Sequence, residues 1–146
     1  MSAEEVSAYL RSQPRVIVVS NGLRGFPHPV PMNFALDELG RVLILTFAKS
    51  QKVRNLERDP RAALLVESGL AYGEMKAVMI YATAEIIAPG PAFDAAKAAF
   101  ADKVQSGVLS PEARAQAAAL MAKRVIVRFT PEQTISWDHA RLQGGY

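Results

Sequence analysis

The chain has 146 residues, half of them hydrophobic and 21% charged, with a formal charge of +3. That length suits one domain spanning residues 1–146, able to bury roughly 70% of its unfolded surface without staples. Zero cysteines rule out disulfides and thiolate metal sites, and charges of both signs interspersed argue against a nucleic-acid stripe and for a small anionic partner.

No apolar run approaches the roughly 20 residues of a membrane span. Met1 to Glu5 lacks the basic, then apolar, opening of a secretory signal. A cytoplasmic protein with no membrane or nucleic-acid partner is therefore expected. Only 8% of residues are aromatic, so Val, Ile, Leu and Ala should build the core.

Ser2 can cap a helix from Ala3 to Arg11 whose Val6, Tyr9 and Leu10 share one face. Arg15 to Ser20 is β-branched and nearly continuous, which predicts a strand buried on both faces. Asn21-Gly22 and Gly25 mark a turn, and His28 to Leu36 should return antiparallel. Pro27, Pro29 and Pro31 cannot donate to a sheet ladder, so the first half of that strand belongs at an edge or bulge. Within it, Met32-Asn33-Phe34 offers a thioether, an amide and an aromatic ring.

Asp37 to Gly40 turns into an apolar strand, Arg41 to Leu45, which runs into Thr46. Ser50 then stands where a side-chain oxygen can cap a short helix, and Asp59-Pro60 ends it. Arg61 to Val66 predicts a strand broken by Glu67-Ser68-Gly69. Met75 to Ile87 predicts a longer strand, and Pro89-Gly90-Pro91 stops it. Five strands with turn signals between them suggest a small closed or nearly closed barrel. Pro91 to Ala101 and Pro111 to Met121, parted by Ser106-Gly107, read as a pair of alanine-rich helices. Arg124 to Phe129 alternates as a strand, and Thr130-Pro131-Glu132 should turn into another, Gln133 to Trp137.

The chemistry gathers around the helix after Thr46. A helix N-terminus presents unpaired N–H groups and a partial positive charge, so Thr46, Ser50 and Lys52 there can hold a phosphate. Lys49, Lys52, Arg54, Arg58 and Arg61 lie close by, and a cation in the first turn is unfavourable unless an anion is near. An ordinary cap with a solvated basic face accounts for the same residues. His28 and His139 lie in no nucleophile or zinc pattern, and neither a Gly-x-Gly-x-x-Gly nor a Walker loop is present. Redox chemistry carried by a bound cofactor fits a chain with so few acid–base groups.

Thr-x-x-x-Ser-x-Lys followed by Asn-Leu, a basic residue and Asp-Pro, from Thr46 to Pro60, resembles the signature of the pyridoxamine 5'-phosphate oxidase-like split-barrel flavoproteins. The resemblance extends from the strand near Arg15 to that near Trp137. It implies a mainly β fold with flanking helices, a split barrel, and a homodimeric oxidoreductase acting on a small-molecule substrate. It further implies FMN with its phosphate at Ser50, Gln51 and Lys52, Thr46 nearby, and its ring along Pro31, Met32 and Asn33. Trp137 would approach the cofactor held across the interface.

Vitamin B6 oxidases carry an arginine where this chain has Gln51 and an Arg-x-His pattern that Asp138-His139-Ala140-Arg141 does not reproduce. Vitamin B6 oxidation is therefore not implied. The pattern resembles the flavin or deazaflavin reductase branch, where a deazaflavin is the alternative cofactor and Lys52, Arg54 and Arg58 would face a longer anionic tail. Relatives of the fold also carry haem or bilins, for which His28 or His139 would supply an imidazole. A purely structural barrel is the remaining reading.

Overall fold

The computed structural model describes residues 1–103 and 110–142. The chain opens with helix α1 (Ala3–Ser12), set by a capping box in which Ser2 Oγ accepts from the Glu5 amide and Glu5 Oε2 accepts from the Ser2 amide. Its Tyr9 and Leu10 enter the core as their spacing requires.

Seven strands follow: β1 (Arg15–Asn21), β2 (Pro27–Asn33), β3 (Ala35–Leu36), β4 (Val42–Phe47), β5 (Arg61–Ser68), β6 (Lys76–Ile87) and β7 (Arg124–Asp138). They form one antiparallel sheet in the order β2-β1-β5-β6-β7-β4-β3. The strands β2 and β3 are consecutive in the chain, separated by Phe34 alone, yet they occupy opposite ends of that order. The sheet must therefore curl until its two edges nearly meet. Phe34, fully buried, fills the corner where they do. This is the half-barrel of a split-barrel fold.

Four expectations need correction. The single strand expected from His28 to Leu36 is two strands, because the chain turns through Phe34 to change edges. Its proline-rich half does lie at an edge, where the missing N–H groups cost no ladder bonds. β1 is not buried on both faces: Val16, Val18 and Ser20 are buried, while Ile17 and Val19 are half-exposed. The turn expected at Thr130-Pro131-Glu132 is a bulge within one long strand, since Ala82 pairs with Pro131 and Tyr81 with Gln133, leaving Glu132 as the extra residue. The first alanine-rich helix is α3 (Pro91–Lys97), which tightens into a 3₁₀ segment, Ala98–Lys103.

Helix α2 (Gln51–Arg58) and helix α4 (Pro111–Met121) complete the elements, and the break expected at Ser106-Gly107 lies outside the described residues. Two apolar clusters hold the fold together. The inner one takes Val16, Val18, Val42, Ile44, Leu64, Val78, Val127 and Phe129 from the sheet, with Val53 and Leu56 from α2. The other joins Leu43 and Ile126, on the opposite face of β4 and β7, to Phe93 of α3. α4 buries none of its residues. Gly69 is required between β5 and β6: its φ is +103°, and a side-chain carbon there would stand 2.3 Å from the Glu74 carbonyl oxygen. Among the described residues no helix is long and apolar enough to cross a membrane.

Candidate functional site

Helix α2 lies across one end of the curl, tied to strands from both halves of the sheet. Asn55, with no exposed surface, donates from Nδ2 to Ser20 Oγ on β1 at 3.0 Å and accepts at Oδ1 from Gln51 Nε2 at 2.9 Å. Lys52 reaches the other way, its Nζ donating to Thr46 Oγ1 on β4 at 2.9 Å. Beyond the last turn, Arg58 donates to the Asn21 carbonyl, and Asp59 accepts from Asn21 Nδ2 at 2.8 Å and pairs with Arg61. Of the five basic residues around this helix, Arg58 and Arg61 are therefore engaged in anchoring it.

The N-terminal end is different. The first backbone bond of the helix runs from the Arg54 amide to the Ser50 carbonyl, so the amides of Gln51, Lys52 and Val53 precede the ladder. Ser50 occupies the cap position, but its side chain makes no cap hydrogen bond, and its Oγ is buried with no partner among the described residues. The expected capping role is thus not what this hydroxyl performs. Buried polar atoms are normally satisfied, so a hydroxyl without a protein partner at a helix N-terminus is a candidate binding point.

Lys52 compounds the imbalance. It is 8% exposed, and its only side-chain partner among the described residues is the neutral Thr46 hydroxyl. Burial pushes its ammonium below the ordinary lysine range. A buried cation without a counter-ion is costly, and it sits at the helix end whose dipole repels it. A phosphate would relieve both costs at once. Lys49 and Arg54, exposed nearby, have no carboxylate partner among the described residues.

The structure gathers Thr46, Ser50, Gln51 and Lys52 at this helix end, and places the other predicted residues elsewhere. On β2, Met32 faces the inner side, whereas Pro31 and Asn33 face out. Met32 and Asn33 line a cavity of about 620 Å³. Trp137 lies half-buried near the end of β7, opposite Ala77. Val125, on the same strand, is the residue that pairs with Thr46, so about 40 Å of strand separates Trp137 from that level. Within one chain Trp137 does not join the cluster.

The histidines also differ. His139 is held by Tyr72, with Nδ1 at 2.9 Å from its carbonyl oxygen and the rings 4.6 Å apart. His28 pairs across the ladder with Ser20, the residue that anchors Asn55, and its Nδ1 is buried without a partner. Sequence reasoning gave His28 no place at the helix end, although a lone polar residue alternating with prolines on an edge strand was a usable signal.

A curled antiparallel half-barrel with helix α2 packed across one end of the curl defines the split-barrel class of fold. Residues 2–138 match the family described as Pyridoxamine 5'-phosphate oxidase, and the chain belongs to that family. It is similar to the conserved hypothetical protein Rv2991 from Mycobacterium tuberculosis, at 32% identity over 100% of this chain and 90% of that one, with a TM-score of 0.84. Over 87 residues it is 31% identical to the 5a,11a-dehydrotetracycline/5a,11a-dehydrooxytetracycline reductase of Streptomyces rimosus, covering 56% of this chain and 61% of that curated relative's length. The FAD binding protein from Mycobacterium smegmatis shares the fold at 17% identity, with 94% of each chain covered and a TM-score of 0.67.

Proposed function

We propose that the chain is an oxidoreductase that holds the phosphate of FMN at the N-terminus of α2 and acts on a small organic substrate at a contact between two copies. The observation that carries the reading is the buried Lys52 ammonium, offered only a hydroxyl, beside the orphaned Ser50 Oγ. Both fit a phosphate: Ser50 would donate to one oxygen, Lys52 would add an ionic hydrogen bond, and the first-turn amides would complete the cradle. Thr46 keeps the lysine aimed by accepting a hydrogen bond from its ammonium. Met32 and Asn33 would border the ring. When bound, FMN supplies a ring that accepts and releases hydride; the chain supplies binding, orientation and exclusion of water. The likeness to a reductase supports a redox role.

A second copy is supported by the outward face of the sheet. Ladder register places Pro31, Ile17, Leu65, Met79 and Ile135 in one row across five strands, with Pro29, Val19, Ala63 and Tyr81 in the next. These side chains are half-buried or exposed, Tyr81 by 44%. A continuous apolar sheet face of this breadth belongs against another surface. Docking there would also give Trp137 its route to the partner's cofactor. Leu65→Lys should convert a dimer to monomer in sedimentation velocity, and an unchanged sedimentation coefficient would remove this face from the contact.

One observation favours a deazaflavin as the second reading: Lys49 and Arg54 stand unpaired outside the phosphate site, where a longer anionic tail would run. Titration with FMN and with a deazaflavin coenzyme, followed by fluorescence quenching, separates the two. Tighter binding of FMN supports the first reading, tighter binding of the deazaflavin the second, and binding of neither to folded protein removes both.

A further inference from the structure

The described residues line three cavities that carry arginine, and the charge balance differs among them. In the cavity of about 820 Å³ beside α3, Arg41 is paired with Asp37 at 2.7 Å and Arg128 with Glu85 at 2.6 Å. In the cavity of about 440 Å³ on the outward face, Arg61 is paired with Asp59 at 2.8 Å, and Glu132 also lines the wall. The cavity of about 620 Å³ at Met32 and Asn33 carries Arg124 and shares Arg11 with the cavity beside α3, on whose wall Asp37 and Glu38 also lie; no carboxylate is among its own described lining residues.

Neither Arg11 nor Arg124 has an acidic partner among the described residues. Arg124 is instead laid over the Phe47 ring, its guanidinium carbon 4.6 Å from the ring centroid. Stacking of that kind fixes the plane of the guanidinium while leaving its edge free to donate. Arg11 enters from the last turn of α1, and the rest of the wall includes Met32, Phe34, Leu45 and Phe100. A concave, largely apolar space with two unneutralised forks has the make-up of a small-molecule site selective for a ring that bears a negative charge.

We propose that this cavity is the substrate subsite, and that Arg11 and Arg124 make it selective for organic anions, namely apolar ring compounds carrying a carboxylate or an enolate. The proposal rests on the reading that the cofactor ring lies against Met32 and Asn33, which would put the bound anion beside it.

The test uses ¹⁵N-labelled full-length protein, without and with saturating FMN, titrated with 1-hydroxy-2-naphthoate and with its uncharged amide. Expected are amide shifts at Met32, Asn33, Phe34 and Leu45 and side-chain Nε shifts at Arg11 and Arg124, with the carboxylate bound about tenfold more tightly than the amide. Arg11→Gln and Arg124→Gln should each reduce that preference. Arg124→Lys, which keeps the charge and the strand but loses the fork, should retain part of it and covers the case where Arg124→Gln fails to fold. Equal affinity for the two compounds, or shifts confined to the outward sheet face, overturns the proposal. So does a loss of FMN affinity in Arg11→Gln as large as the loss of carboxylate affinity, since the arginines would then serve the cofactor's own phosphate. If neither FMN nor a deazaflavin binds while the carboxylate preference persists, the cofactor reading fails and the anion subsite stands.

Discussion

The two ends of α2 are built from the same kinds of residue and are in opposite states. At the C-terminal end the groups that anchor the helix have partners: Arg58 on the Asn21 carbonyl, Asp59 on Asn21 Nδ2 and Arg61, and the Asp59 amide on the Asn55 carbonyl at 2.8 Å. At the N-terminal end, among the described residues, a hydroxyl is buried without a partner and an ammonium is buried without a counter-ion. The eight residues between them are too few to make an independently stable helix, so the satisfied end holds the unsatisfied one in place. Stability is concentrated at one end and binding capacity at the other.

The sharpest break of that comparison is at its hinge, Asn55. Replacing it with Ala strands Ser20 Oγ and opens a cavity under the helix, and should lower unfolding free energy by about 3 kcal/mol in urea titrations. Lys52→Met keeps the apolar stem but removes the charge. It should leave stability unchanged or slightly raised while weakening FMN binding by about 2 kcal/mol, measured by fluorescence quenching. A large stability loss with unchanged affinity would show that Lys52 is a structural strut. Ser50→Ala deletes an atom with no protein partner among the described residues, so stability should hold within about 0.5 kcal/mol and affinity should fall by roughly 1 kcal/mol.

The smallest effects are in the pH dependence, where the two ends share a sign and differ in cause. Asp59 is held below the ordinary carboxylate range, chiefly by Arg61, and Glu5 is lowered from 4.5 to about 2, chiefly by Arg141. Their contributions are present above the unfolded carboxylate values and are lost as pH falls through the folded ones, so the melting temperature should drop from about pH 5 downward. Asp59→Asn and Glu5→Gln should each flatten that drop. Lys52 contributes with the same sign for a different reason: burial disfavours its charged form, the unfolded chain holds the extra proton, and the free protein should gain stability as pH rises through the depressed value. Bound phosphate should abolish that gain.

Much of the site was legible because its signals are local. A hydroxyl at the cap position, a lysine two residues on and a proline stop are all properties of the segment Thr46 to Pro60, and the family resemblance rested on the same residues. Partnership was not legible. Nothing in the order of residues distinguishes Arg58, spent on Asn21, from Arg54, which has no side-chain partner among the described residues, because the difference depends on where β1 ends in space. The same holds for Arg11 and Arg124, which lie far apart in the chain and share a wall only after the sheet curls.

By itself the sequence determined the segments. β-branched runs, proline at an edge, alanine-rich helices and a capped turn follow from backbone sterics and side-chain periodicity, which act over a few residues. Tertiary structure alone decided that Phe34 sends consecutive strands to opposite edges, that the Ser50 hydroxyl caps nothing, and that Lys52 is buried with a neutral partner. Those outcomes depend on desolvation and on hydrogen-bond distances between strands remote in sequence, and such quantities have no value until the chain has closed on itself.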